Sequence, residues 1–187
     1  MVNPQSQHYE SIQAALIADH EDEYFPTDAM VMADNSADFT ERVQRCNHSA
    51  HAIANLLASH PSIHHVNYPT MVSSARFYKQ YRRRHNSNND DDDGGYGFLL
   101  SMIFHHPQSA VRFYDALDVC KGPSVGTNFT LAIPYAQLAH AQELDFAESF
   151  RVDKYIVRIS VGLEDERELL ERVSEALRVV EGESSPL

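Results

Sequence analysis

Basic residues are scarce in this sequence of 187 amino acids, where 15 lysines and arginines stand against 27 aspartates and glutamates, a net charge of −12. Affinity for phosphate backbones and anionic lipid headgroups comes from lysine and arginine side chains. The sequence also has no apolar run long enough for a bilayer-spanning helix, and its N-terminus does not have the pattern of a secretory signal peptide. We therefore expect neither a nucleic acid nor a membrane as a partner.

Cysteine is almost absent, and the two cysteines, Cys46 and Cys120, lie far apart in the sequence. They form no Cys-x-x-Cys pair and no framework that could staple a small secreted domain. This usage is typical of a reducing compartment, so we expect a cytoplasmic protein.

The rest of the composition is that of a globular protein, with 43% hydrophobic and 22% charged residues. Apolar residues three or four positions apart predict helices, alternating or continuous apolar runs predict strands, and a stretch of Asn, Ser, Asp and Gly predicts a loop. The predicted helices cover residues 4–20, 36–57 with Ser36 as N-cap, 108–117 and 164–180; the predicted strands cover 62–68, 96–104 and 155–161; the predicted loop covers 70–95. Because helices and strands are interspersed without an internal repeat, the predicted class is α/β or α+β, with helices packed on a small sheet.

Eleven histidines suggest a metal site at first sight, but they occur as two adjacent pairs, His64-His65 and His105-His106, and as single residues elsewhere. Adjacent residues on a strand point to opposite faces, so such pairs rarely bind one ion together. The four aspartates at 90–93 lack the alternation and the final Glu of an EF-hand loop. We predict no metal site, and no nucleotide-binding or nucleophile-elbow motif is present.

Several short strings follow one another in a recognisable order. They are Asn3-Pro4-Gln5-Ser6, Asn35-Ser36, His60-Pro61, Tyr68-Pro69, Gly94-Gly95-Tyr96-Gly97, the segment Lys121-Gly122-Pro123-Ser124-Val125-Gly126-Thr127-Asn128-Phe129-Thr130-Leu131, and Val157-Arg158-Ile159-Ser160-Val161-Gly162-Leu163-Glu164-Asp165. Together they resemble the C-terminal part of the trans-sulfuration enzymes of Cys/Met metabolism that use pyridoxal phosphate, in particular fungal cystathionine gamma-synthase-like members. The resemblance runs from about residue 2 to residue 181.

This resemblance implies the small C-terminal domain of the fold type I architecture at residues 35–187, interrupted by the loop at 70–95. Residues 1–34 would then be a helical segment from the junction with the large domain. Truncation at that junction would expose apolar side chains of Leu16, Ile17, Tyr24, Phe25 and Met30. We therefore expect a homo-oligomer, or pairing with a full-length family subunit.

For the site, the resemblance implies that Arg158 binds the substrate α-carboxylate, and a guanidinium suits that role because it can donate two parallel hydrogen bonds. It also places Ser124 and Thr130 in the segment that approaches cofactor and substrate. The alternatives are a surface arginine on an edge strand and hydroxyls that cap a turn. No catalytic residue is assigned.

The family carries its Schiff-base lysine in the half that this sequence lacks, and Lys79, Lys121 and Lys154 do not lie in such a context. We therefore expect no cofactor bound by this chain alone, although the full-length family uses pyridoxal phosphate. Three hypotheses remain: a truncated trans-sulfuration protein, whose activity in the family manner would be that of a carbon–sulfur lyase or transferase; a recruited, cofactor-independent catalyst or binder of a small carboxylate-bearing metabolite; and a structural protein.

Overall fold

A computed structural model describes residues 3–21, 23–82 and 95–182. The chain divides into two compact units, Met1–Phe39 and Thr40–Leu187. The predicted domain boundary between residues 34 and 35 stays a prediction. None of the helices in the described part of the chain is both long enough and apolar enough to cross a membrane.

The first unit contains two helices, α1 (Tyr9–Asp19) and α2 (Pro26–Asn35), and neither buries a side chain. Its large apolar side chains are exposed, as the sequence predicts for Leu16, Ile17, Tyr24, Phe25 and Met30. An exposed apolar surface of this size is typical of a segment that packs on other protein. The homo-oligomer predicted from it stays a prediction.

The predicted role of Ser36 as the N-cap of the following helix is wrong. Its backbone N–H donates to Met32 O and Ala33 O, and its hydroxyl donates to Ala33 O at 2.8 Å. Ser36 therefore closes the C-terminal end of α2, where the last carbonyl groups of a helix need donors. The next helix, α3, spans Phe39–Ala58.

The second unit is built on a sheet of five strands in the order β1-β2-β5-β4-β3. The strands are β1 (Ile63–Asn67), β2 (Leu99–Phe104), β3 (Cys120–Lys121), β4 (Leu131–Pro134) and β5 (Val157–Ser160). All neighbouring strands are antiparallel except β3 and β4, which are parallel. β5 therefore lies at the centre of the sheet, hydrogen-bonded to β2 and β4.

Five further helices lie in the described part of this unit: α4 (Ala75–Tyr81), α5 (Pro107–Ala116), α6 (Tyr135–Ala139), α7 (Leu144–Ser149) and α8 (Glu166–Glu181). Asp165 caps the N-terminus of α8, since its carboxylate accepts from Arg167 N and Glu168 N. Side chains from α3, α5 and α8 join those of β1, β2 and β5 in one hydrophobic core. The apolar residues predicted for α8 and for the C-terminal half of α3 contribute to this core, whereas Phe39 at the start of α3 is exposed.

The predicted loop at 70–95 is wrong for the residues of α4. Aromatic contacts connect this helix to Tyr96. The ring of Tyr78 stacks on that of Tyr96 with centroids 5.6 Å apart, and the Arg82 guanidinium lies 4.2 Å above the Tyr96 ring centroid. These contacts join residues distant in sequence, so local composition gives no sign of them. The part of the prediction that falls on 83–94 lies outside the described residues.

Two valines of α8 allow a matched test of this packing. Val173 is 2% exposed in the core and Val179 is 49% exposed. We expect Val173→Ala to lower the free energy of unfolding by about 2 kcal/mol, because it removes buried apolar surface and leaves a cavity. Val179→Ala should change it by less than about 0.5 kcal/mol. Urea titrations followed by circular dichroism give both values, and equal losses would contradict the assignment of this face to the core.

Candidate functional site

Arg158 lies in β5 on the sheet face opposite the core helices α3, α5 and α8. Its neighbours across the sheet are Ser101 on β2 and Ile133 on β4. Val157 and Ile159, the residues on either side, are buried in the hydrophobic core. The alternation expected of a strand is therefore confirmed, and it directs the arginine away from the core.

The guanidinium of Arg158 is held by the backbone of the loop that joins β3 to β4. Its Nη2 donates to the carbonyl oxygen of Pro123 at 2.5 Å and makes a longer contact of 3.5 Å with that of Ser124. The ring of Tyr135 lies 5.4 Å from its Cζ. Its Nε is buried, and within the described residues it has no hydrogen-bond partner. The backbone carbonyl groups thus orient the guanidinium, and its Nε is a donor without an acceptor in the described part of the chain.

The same loop, residues 122–130, also forms hydrogen bonds to the end of β5 and to the residues that follow it. The backbone N–H of Gly126 donates to Ser160 Oγ at 3.1 Å. The backbone N–H of Leu163 donates to Asn128 O at 2.9 Å. The loop therefore lies on the sheet face that carries Arg158, and we call it the clasp loop.

Thr130 closes the far end of the clasp loop. Its backbone N–H and its hydroxyl donate to the two carboxylate oxygens of Glu164, at 2.6 and 2.9 Å, and the hydroxyl accepts from the backbone N–H of Gly162 at 3.0 Å. Thr130 is buried, whereas Ser124 is exposed beside Arg158. The structure brings Ser124 to the arginine and turns the Thr130 hydroxyl toward Glu164, so substrate binding by these two residues stays a prediction.

Gly162 lies directly beneath the clasp loop. A β-carbon at this position would come within 2.4 Å of the carbonyl carbon of Phe129 and 2.6 Å of Glu164 Oε2. Its carbonyl oxygen accepts from the thiol of Cys46 on α3 at 3.2 Å. Burial raises the pKa of that thiol, which keeps it protonated as a donor. The absence of a side chain at 162 is therefore what allows the loop to approach.

All three lysines of the sequence lie in the described part of the chain. Lys121 Nζ donates to the carbonyl oxygens of Tyr114 and Leu117 at the end of α5, and burial lowers its pKa. Lys154 forms ion pairs with Asp145 and Glu148, and its hydrogen bonds to them raise its pKa. Lys79 is exposed on α4.

One histidine from each sequence pair lies close to one from the other. The rings of His64 on β1 and His105 after β2 have centroids 5.2 Å apart. No group of three or more His, Cys, Asp or Glu side chains in the described ranges is placed to hold a metal ion.

Comparison with known proteins shows the family of this chain. A sequence model described as Cys/Met metabolism PLP-dependent enzyme matches residues 23–178. The chain belongs to this family. The family resemblance found in the sequence is thereby confirmed.

Fungal relatives extend the match over nearly the whole chain. The cystathionine gamma-synthase-like protein ankD of Aspergillus thermomutatus is 59% identical over 97% of this chain and 31% of its own length. The cystathionine gamma-synthase of Neurospora crassa is 42% identical over 97% of this chain and 28% of its own length. The chain therefore spans about a third or less of these relatives and is a fragment relative to them.

Solved structures of the family share the fold. A putative O-acetylhomoserine (thiol)-lyase from Campylobacter jejuni matches with a TM-score of 0.64 and 26% identity, over 75% of this chain and 32% of its own. A cystathionine gamma-synthase from Xanthomonas oryzae matches with a TM-score of 0.66 and 22% identity, over 78% of this chain and 36% of its own. The predicted fold class is confirmed.

Three residues of the site are missing from the set assigned by sequence analysis: Ser160, Gly162 and Glu164. All three belong to the string that carries Arg158, and each contacts the clasp loop. Their positions two residues apart are the signal that could have found them, because alternate residues of a strand share a face. The string alone does not show which segment these residues contact, because the clasp loop lies about thirty residues earlier in the sequence.

The close approach at Gly162 makes a testable prediction. We expect Gly162→Ala to lower the free energy of unfolding by about 1–3 kcal/mol, because the methyl group overlaps the Phe129 backbone. Gly182→Ala is the control, since a β-carbon there would lie 3.4 Å from Arg178 O in an exposed position. Urea unfolding measures both, and a Gly162→Ala protein as stable as the control would contradict this packing.

Proposed function

We propose that this chain supplies the substrate-carboxylate grip of a cystathionine gamma-synthase-like enzyme, with Arg158 as the group that binds the carboxylate and Ser124 beside it. The observation that carries the proposal is the buried, unpartnered Nε of Arg158 within the described residues. A buried donor without an acceptor is costly, and a carboxylate would satisfy it. The carbonyl groups of Pro123 and Ser124 hold Nη2, so the guanidinium is oriented before the ligand arrives.

The substrate class follows from the chemistry of this donor set. A guanidinium donates charge-assisted hydrogen bonds to a carboxylate, and Arg158 offers its Nε for such a bond while the carbonyl groups of Pro123 and Ser124 hold its Nη2. Amino acids appear in two solved family structures: a cystathionine gamma-synthase complexed with aminoacrylate and cysteine, and a cystathionine gamma-lyase complexed with L-serine. We propose a small amino acid as the ligand of Arg158.

We further propose that the chain does not hold pyridoxal phosphate by itself. The cofactor needs a lysine amine that is free to form a Schiff base. Lys121 donates to two backbone carbonyls, Lys154 is paired with two carboxylates, and Lys79 is exposed on α4. These residues do not fit the cofactor, which supports a lysine supplied by protein outside this chain. The alternative, a recruited cofactor-independent binder of a carboxylate metabolite, rests on the same Arg158 donor.

Binding of L-serine tests the proposed grip. We expect Arg158→Ala and Arg158→Lys each to weaken L-serine binding about thirtyfold or more, since loss of one partner of a charge-assisted pair costs about 2–5 kcal/mol. Arg167→Ala, at an exposed arginine of α8, is the matched control and should bind as wild type. NMR titration of the chain with L-serine, and with ethanolamine as the analogue without a carboxylate, measures the affinities. Unchanged binding by Arg158→Ala, or no binding of L-serine by wild type, would contradict the proposal.

Borohydride trapping tests the statement about the cofactor. After incubation with pyridoxal phosphate and reduction, we expect weak modification spread over Lys79, Lys121 and Lys154, because each ammonium is exposed or already bonded within the protein. Peptide mass spectrometry gives the yield at each position, and Lys121→Arg and Lys154→Arg serve as controls. A stoichiometric adduct at either of these two lysines would overturn the proposal.

A further inference from the structure

We propose that Glu164 is a positioning residue for the Arg158 site: its carboxylate fixes the clasp loop, and the loop's carbonyl groups then orient the guanidinium. This inference rests on the proposed function, because it assigns a second residue to the same site. Glu164 does not touch the ligand position. It acts through Thr130 and the loop that ends there.

The first step is the bond pattern of Glu164 itself. Both oxygens are used on one residue, with Oε1 accepting from the backbone N–H of Thr130 and Oε2 from its hydroxyl. Hydrogen bonds to a charged acceptor are shorter and stronger than neutral ones. Because the Thr130 hydroxyl also accepts from Gly162 N, the carboxylate ties the loop end to the strand that carries Arg158.

The second step is the path from Thr130 to Arg158. Between them the loop is bonded to the strand at Gly126, through Ser160 Oγ, and at Asn128, through the backbone N–H of Leu163. At its other end the carbonyl groups of residues 123 and 124 receive the Arg158 guanidinium. Contacts thus recur at successive positions along one strand, so loosening one end of the loop shifts the carbonyl groups at the other.

The third step is the close packing beneath the clasp loop. Gly162 leaves no space for even a β-carbon between the strand, Phe129 and the Glu164 carboxylate. A side chain that keeps the shape of Glu164 but loses its charge therefore stays in place and weakens the bonds alone. Glu164→Gln is such a change, because its amide nitrogen donates where the carboxylate oxygen accepted.

The test begins with the chain without ligand. In Glu164→Gln we expect the Gly126 amide to exchange with solvent at least about tenfold faster and the Arg158 guanidinium to rotate faster in ¹⁵N NMR spectra, while amides of α8 such as that of Val173 keep their rates. Glu171→Gln makes the same chemical change at an exposed position of α8 and should leave all these signals unchanged. Unaltered Gly126 and Arg158 signals in Glu164→Gln would overturn the inference, as would an equal rise at the α8 amides.

Thr130 provides a second pair of variants that does not depend on the folding of Glu164→Gln. Thr130→Val removes the hydroxyl at similar size and should reproduce the faster exchange of Gly126, whereas Thr130→Ser keeps the hydroxyl and should restore slow exchange. If Thr130→Val exchanges at Gly126 as slowly as Thr130→Ser, the Glu164–Thr130 contact does not hold the loop and the inference is wrong.

Ligand binding connects this loop to the proposed site. We expect Glu164→Gln to weaken L-serine binding about tenfold in the wild-type background and by much less in the Arg158→Lys background, because coupled residues are not additive. Equal losses in both backgrounds would show that Glu164 does not act through Arg158. Failure of the wild type to bind L-serine contradicts the proposed function alone, whereas the signals of the unliganded chain test the positioning role by themselves.

Discussion

Side-chain alternation along β5 is the constraint on which both the core and the candidate site depend. Val157 and Ile159 face the helices, and Arg158 faces the other way between them. Because β5 is bonded on both sides, to β2 and β4, its register is fixed twice. A slip of one residue would bury the arginine among apolar side chains and expose two core residues. The energy of core packing therefore also fixes the position of the guanidinium.

The clasp loop shows how irregular backbone is held in one conformation on such a strand. A loop of nine residues between β3 and β4 has many conformations, and ordering it costs entropy. Here the cost is opposed by bonds from Ser160, Gly162, Leu163 and Glu164, and by the fit over Gly162. The thiol of Cys46 on α3 donates a hydrogen bond to the carbonyl oxygen of Gly162, so α3 also holds this segment. The site is thus built on a loop that hydrogen bonds attach to the central strand and to the residues that follow it.

Sequence periodicity predicted the parts of this fold in which apolar residues recur at a regular spacing within one element. The apolar stripes of α3 and α8 and the alternation around Arg158 were all visible in the sequence. What it missed depends on partners far away in the chain: α4, whose Tyr78 stacks on Tyr96, and Glu164, whose two bonds reach back 34 residues to Thr130. Ser36 was misassigned for a related reason, since the same residue type can end one helix or begin the next. The short α6 and α7 and the two-residue β3 were also missed, because they are too short for an apolar pattern to repeat within them.

The overall charge explains why a carboxylate site in this chain has to be preorganised. A chain with a net charge of −12 repels an anionic ligand at long range, so attraction to Arg158 is effective only within contact distance. At that distance the geometry of the donor decides affinity, because a hydrogen bond is strong only when the N–H points at the ligand oxygen. A free arginine side chain would have to give up rotamer freedom to reach this state, whereas one held by Pro123 and Ser124 has already lost it. On this reasoning, the backbone carbonyl groups of the clasp loop are as much a part of the proposed site as the arginine itself.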